Sequence, residues 1–334
     1  MNLLKFPKIE LHLHLDGSVR PSTVSNILNL NKIDIEKEMI VNDSCKNLND
    51  YLTKFDLPLK VLQTKENLIR VSEELAMDLK NDGVIYAEIR FAPILHTRSG
   101  LSCEEVIEAV IEGISRVDIK INLIICLMRN VSDKDNYKVI DAGLKYINDK
   151  VVGFDLAGAE ALYETSKFAD LFKYINQHNV PFTIHAGEAD GINSIKSAIE
   201  FGAKRIGHGV RIMDNNYMIE YAKNNNITFE VCPTSNIHTK IYKEYKDHVI
   251  KKMYDNNLNI TINTDNRTVS NITLTEEYEK LVNIFNFNLK DLKEINISAI
   301  NASFVSNSEK DILIQEYCSK YNEFINNGGY NEQR

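Results

Sequence analysis

Short runs rich in Val, Ile and Phe recur along the chain, and each is followed by a longer stretch whose apolar positions return with helical spacing. The runs are Ile9 to Leu15, Val84 to Phe91, Ile121 to Met128, Val151 to Leu156, Pro181 to Ala186, Arg205 to Gly209, Ile227 to Cys232 and Leu258 to Thr264. Strands that are apolar at nearly every position belong to a parallel sheet buried on both faces. Eight βα units are also the number that closes into a (β/α)₈ TIM-type barrel. An open doubly wound sheet is the competing architecture, but no Gly-x-Gly-x-x-Gly follows the first run, as a dinucleotide fold would require.

Local signals agree with this alternation. Asp82-Gly83 closes a helical stretch with Leu68, Val71, Leu75 and Leu79 on one face, and Ser102 with Glu105 and Thr273 with Glu276 are spaced as capping boxes. The segment 18–82 is too long for a single connection and predicts a helical insert standing over one barrel end as a lid. No repeat or linker divides the chain, so a single domain is expected over 1–325, with the Asn- and Gly-rich residues 326–334 as a flexible tail.

Composition narrows the partners. The chain has 334 residues, 43% hydrophobic and 26% charged, which is ordinary globular usage. Its 39 basic against 47 acidic side chains give a net charge of −8, so neither a nucleic-acid nor a membrane partner is expected. The lysines from Lys240 to Lys252 alternate with Glu244 and Asp247, which reads as a mixed, solvated helix face. Five widely spaced cysteines form no Cys-x-x-Cys pair, and the first residues include no apolar leader segment, so a reducing, cytoplasmic setting is expected.

His12 and His14 lie two apart on the first strand, so a strand's period points both imidazoles to the same side. Alone the pair is a weak signal. His185, His208 and Asp265 strengthen it, because each lies near the carboxyl end of its own run, where barrel strands converge on the active-site face. His178 and His248, read as helical, and His96 and His238, read as loop residues, fit ordinary structural roles. Three histidines and one carboxylate drawn from the strand-end set make a nitrogen and oxygen site suited to one zinc ion with a position left for water. Glu188, three residues past His185, stands where it could protonate a substrate, and His208 could orient the attacking water or take its proton.

Leu11-His12-Leu13-His14-Leu15-Asp16-Gly17-Ser18, His185-Ala186-Gly187-Glu188, Gly207-His208-Gly209 and Asn263-Thr264-Asp265 resemble, in order and spacing, the motifs of the adenosine deaminase family. Asp155-Leu156-Ala157-Gly158 with Glu160, Tyr86 to Arg90 with Pro93, and Cys232-Pro233-Thr234-Ser235-Asn236 extend the resemblance over nearly the whole chain. It implies a zinc-dependent (β/α)₈ hydrolase that converts adenosine, and also 2′-deoxyadenosine, into inosine or its deoxy form and ammonia in purine salvage. By position it makes His12, His14, His185 and Asp265 the zinc ligands. It makes Glu188 the acid at purine N1 and His208 the residue assisting water at C6. The Gly158 backbone would donate toward N3, Asp16 would hold a ribose hydroxyl, and His14 would also border the substrate. Leu48, Tyr51, Leu52 and Phe55, a helical stripe in the insert, match the family's apolar lid.

Asn266 departs from the pattern, standing where many family members carry a second aspartate, and Arg267 follows in place of a frequent proline. N7 is an acceptor, and an Asn amide donates to it without needing protonation. Two other readings stay open at this level: an adenine or modified-adenine-nucleoside deaminase of the same family, and a catalytically inactive nucleoside-binding protein. The sequence leaves the oligomeric state open.

Overall fold

The structure, a computed structural model, describes residues 2–329. All eight runs form strands: β1 Lys8–His14, β2 Val84–Phe91, β3 Lys120–Met128, β4 Val151–Ala157, β5 Thr183–Ala186, β6 Arg205–His208, β7 Thr228–Val231 and β8 Asn259–Ile262. They pair in parallel and in chain order as two four-stranded sheets, β1 to β4 and β5 to β8. Single bridges close the two seams between the sheets, Phe154 with Phe182 and Leu13 with Asp265.

Alternation along β2 explains how one strand serves two environments. Ala87, Ile89 and Phe91 join the main apolar core, together with Val106 and Val110 of helix Cys103–Ser115. Glu88 and Arg90, on the other face, lie wholly buried with Asp155, Arg205 and Glu230. Arg90 pairs with Asp155 at 3.2 Å and Glu230 at 2.8 Å, and Arg205 pairs with Glu88 and Glu230, each at 2.6 Å. The paired charges make this network tolerable, since stripping one partner from such a pair costs ~3–5 kcal/mol. The network is closed off by the Phe304 ring, 3.8 Å from the Arg205 guanidinium carbon, and by the Phe304 backbone N–H, which donates to Glu88 at 2.8 Å.

Helix Lys65–Asn81, which carries Leu68, Val71, Leu75 and Leu79, packs into the same core as a ring helix. The remainder of the 18–82 insert contains the short helices Pro21–Leu28, Lys32–Met39, Leu48–Leu52 and Asp56–Val61. Both expected capping boxes are present. The stretch from Lys240 to Lys252 is not the single helix face that charge alternation suggested. It turns through a 3₁₀ segment, Tyr245–Asp247, and becomes helical only at Ile250. Residues 325–329 continue the last helix as a π-type turn, and residues 330–334 of the expected tail lie outside the described residues. No cysteine is in a disulfide, and among the described residues no helix is long and apolar enough to cross a membrane.

Candidate active site

The register of β1 slips by one residue between Glu10 and Leu13, and Asn263 Oδ1 accepts from both Leu11 N at 3.0 Å and His12 N at 3.1 Å. Such a bulge re-aims the side chains that follow it. It delivers His12 and His14 beside the residues at the carboxyl ends of β5 and β6 and just past the end of β8. His208 and Asp265 both take positive φ, 59° and 61°, a conformation non-glycine residues adopt at a cost that functional sites commonly carry.

Ligand-type atoms of His12, His185, His208 and Asp265 all lie within 4.8 Å of one another. His14 belongs to the same cluster, its Nε2 standing 3.3 Å from both His185 Nε2 and Asp265 Oδ1. His12 Nδ1 faces Glu230 Oε2 at 2.8 Å and His185 Nδ1 faces Asp155 Oδ2 at 2.9 Å. A carboxylate can only accept, so each Nδ1 carries a hydrogen, and in the neutral ring each Nε2 turns its lone pair into the cluster. His12 Nε2 is buried and makes no hydrogen bond, although Asp265 Oδ1 is 3.3 Å away. Imidazole nitrogens and a carboxylate oxygen converging at this spacing are the donor set of a cation site, and this one fits a divalent metal.

The Glu188 carboxyl lies beside the cluster, its Oε2 3.6 Å from His208 Nε2 and its Oε1 accepting from Thr239 Oγ1 at 3.3 Å. Burial, reinforced by the charges of Asp265 and Glu160, raises it well above the usual carboxylate range and so favours its protonated form. His208 is held neutral, chiefly by burial.

The hydrogen on His208 can be assigned from a chain of contacts. The backbone N–H of Ile250 donates to His248 Nδ1 at 3.1 Å, so a neutral His248 bears its hydrogen on Nε2, which faces Asn236 Oδ1 at 3.1 Å. The Asn236 amide nitrogen then donates to His208 Nδ1 at 3.0 Å, which leaves the His208 hydrogen on Nε2, toward Glu188. Burial pushes His248 down to about 3, so it is neutral as this chain requires. His208 therefore offers the site a donor. His248 is not in a helix, as its sequence context had suggested, but in the turn before Ile250–Asp255. His178 lies just past Ala169–Gln177, His96 closes the 3₁₀ turn Pro93–His96, and His238 is the last residue of helix Pro233–His238 rather than a loop residue.

Asp16 sits in the turn after β1, buried, with Oδ1 accepting from Gly17 N at 3.2 Å, and burial raises it to about 6. Asn266 packs against Gly17 so closely that a Cβ there would stand 1.8 Å from Asn266 Oδ1, an oxygen with no hydrogen-bond partner. Gly158 follows β4 directly. Of the insert stripe, Leu48, Tyr51 and Phe55 cluster with Cys45 and Val269, and the Tyr51 phenol meets Ser270 Oγ at 2.7 Å. Leu52, half-buried, is not part of that cluster. Glu230 and His248 carried no signal in the sequence, and Asp155, Glu160 and Asn236 were visible only as motif members without a role.

The family model described as Adenosine deaminase matches residues 7–320. An adenosine deaminase of Clostridium botulinum (strain 657 / Type Ba4) is 42% identical over 326 residues, covering 94% of this chain and 98% of that protein. An Arabidopsis N6-mAMP deaminase superposes with a TM-score of 0.86 at 26% identity, covering 96% of this chain and 100% of the other. A Burkholderia ambifaria amidohydrolase with bound Zn superposes with a TM-score of 0.88 at 21% identity, covering 97% and 93%, a likeness of fold.

Proposed function

The chain belongs to the adenosine deaminase family, and on that premise we propose that it hydrolyses adenosine, and 2′-deoxyadenosine, to the corresponding inosine and ammonia. The observation that carries the reading is Glu188: a buried carboxyl, pushed by its surroundings toward the protonated form, beside a cluster of imidazoles and one carboxylate. Attack at C6 of a purine breaks aromaticity unless a ring nitrogen gains a proton, so an acid beside the incoming oxygen is what deamination needs.

His12, His14, His185 and Asp265 would hold one zinc ion, the metal suited to three nitrogens and one oxygen. When bound, such a cation acidifies water enough to make an oxygen nucleophile available near neutral pH. Glu188 donates its proton to N1, making C6 electrophilic. Once the oxygen has bonded to C6, the Glu188 carboxylate takes the proton left on that oxygen and passes it to the amino group, so that the C6–N bond breaks and ammonia leaves. His208, with its hydrogen on Nε2, steers the attacking oxygen by donating to it rather than by removing its proton. The ribose is held by Asp16, which accepts from a hydroxyl. The purine edge is read by the Gly158 N–H toward N3 and the Asn266 amide toward N7. Tyr51, Leu48 and Phe55 form the apolar wall that excludes bulk water, with the Tyr51 to Ser270 contact holding it to the barrel.

Incubation with adenosine, followed by loss of the adenosine absorbance band and release of ammonia, tests the reading, with adenine and an N6-methylated adenine nucleotide in parallel. Turnover of adenosine well above both supports it. Preference for either competitor, or no turnover by metal-replete protein, overturns it.

A further inference from the structure

Glu160 lies three residues past β4 and is almost completely buried. Its Oε1 accepts from Gly187 N at 2.6 Å and Ser194 Oγ at 2.5 Å. Its Oε2 accepts from the backbone N–H groups of Glu188 at 3.0 Å, Ala189 at 2.8 Å and Asp190 at 3.1 Å. Four consecutive backbone N–H groups curl around one carboxylate, an anion nest whose occupant is part of the chain.

The turn it fills is demanding. Gly187 takes φ +72°, and a Cβ there would stand 2.4 Å from Ile195 Cδ1. From this turn the Glu188 side chain reaches back to His208 and Thr239. Ser194 is itself held, by Thr165 Oγ1 at 2.7 Å, and Arg129 Nη2 joins Thr165 at 2.9 Å to the His185 carbonyl at 2.6 Å. The nest is thus tied to the strand that carries His185.

We propose that Glu160 is a positioning residue for Glu188: it fixes the backbone from Gly187 to Asp190 so that the Glu188 carboxyl is aimed at the ring atom it protonates. The proposal rests on the reading of Glu188 as the acid. The Glu160 charge acts in the same direction, adding to burial in keeping the Glu188 proton in place.

The test is Glu160→Gln, alone and combined with Glu188→Gln, in metal-replete protein. Gln keeps the shape but turns an NH₂ group toward donors. With the acid misaimed, kcat is expected to fall roughly ten- to hundredfold, part of the ~10²- to 10⁴-fold that a general acid supplies. KM, metal content and inosine binding should stay within about threefold, because the groups that bind are not those the nest holds. In the Glu188→Gln background the second substitution should change kcat by less than about twofold, since a residue acting through Glu188 has nothing left to aim. Hydrogen exchange of the amides from Gly187 to Asp190 should accelerate in Glu160→Gln. An undiminished kcat, a loss that adds in full to that of Glu188→Gln, a parallel loss of metal and KM, or unchanged exchange would each overturn the proposal. If the parent protein leaves adenosine untouched, the reading of Glu188 fails. The exchange measurement then decides separately whether Glu160 fixes the turn.

Discussion

Glu230 Oε2 stands 2.8 Å from His12 Nδ1 and 2.8 Å from Arg90 Nη2, so one buried carboxylate joins an imidazole of the site to a guanidinium inside the barrel. Arg90 also reaches Asp155, the partner of His185, at 3.2 Å. One arginine thereby anchors the carboxylates behind two of the site's rings.

Glu230→Gln is expected to weaken metal binding by about 10- to 100-fold, the usual consequence of losing a carboxylate behind a ligating histidine. Titration with a competing chelator measures it, with circular dichroism confirming that the variant is folded. An unchanged chelator midpoint would show that Glu230 does not support His12.

Glu188→Gln should separate binding from chemistry. Metal content and inosine affinity are expected to persist while kcat falls by ~10²- to 10⁴-fold, because an amide cannot supply the proton. Activity close to that of the parent would place the acid elsewhere.

His248→Ala removes the contact that dictates which nitrogen of His208 bears hydrogen. Losing one such oriented hydrogen bond amounts to about 1 kcal/mol, roughly fivefold in kcat. Nitrogen chemical shifts of His208 should show hydrogen on Nε2 in the parent and a mixture of tautomers in the variant. A parent ring with its hydrogen on Nδ1 would contradict the assignment.

Glu277 gives a pH dependence unrelated to catalysis. Burial raises it to about 7, opposed by the charge of Lys280, while its Oε1 accepts from Thr234 N at 2.9 Å. Above the ordinary carboxylate pKa the unfolded chain releases this proton before the folded chain does, so this group's contribution to stability falls as pH rises toward 7 and stays low beyond it. The loss is up to roughly 3 kcal/mol. Glu277→Gln keeps the acceptor and removes the titration. Urea unfolding at about pH 5 and about pH 8 should show a smaller difference between the two conditions in the variant than in the parent. Equal differences would mean that Glu277 titrates alike folded and unfolded.

Asn266 should matter for one ring atom. If its amide donates to N7, 7-deazaadenosine loses roughly 1–3 kcal/mol of transition-state binding in the parent enzyme and much less in Asn266→Ala. The same penalty in both, read from kcat/KM, would show that Asn266 does not reach N7.

The strands were legible because burial on both faces leaves nearly continuous apolar runs, and His185, His208 and Asp265 were legible because polar groups interrupt those runs at their carboxyl ends. Glu230 was not. In Thr228-Phe229-Glu230-Val231 it reads as the solvent side of an alternating strand, and only closure of the barrel turns that side inward. The bulge in β1 was equally hidden, since it depends on Asn263, more than two hundred residues away, capturing two successive N–H groups. His248 reaches His208 only through Asn236, and no spacing along the chain announces such a relay. Glu160 showed as part of a motif, but its work is done on backbone atoms, which a sequence does not distinguish.

The seam between β8 and β1 has a consequence for how the protein is made. Leu13 bridges Asp265 there, His14 N donates to Asp265 O at 2.8 Å, and Asp265 N donates to His12 O at 3.0 Å. The residues that meet at this stitch lie more than two hundred residues apart in the chain. On the ribosome His12 and His14 emerge early and must wait for the eighth strand, because domains are made from the N-terminus and distant pairings form only after the intervening loop has closed. A nascent chain that stops short of the eighth strand has no Asp265 to complete the cluster, so the enzyme cannot gain its chemistry before that strand and the residues just past it have been made.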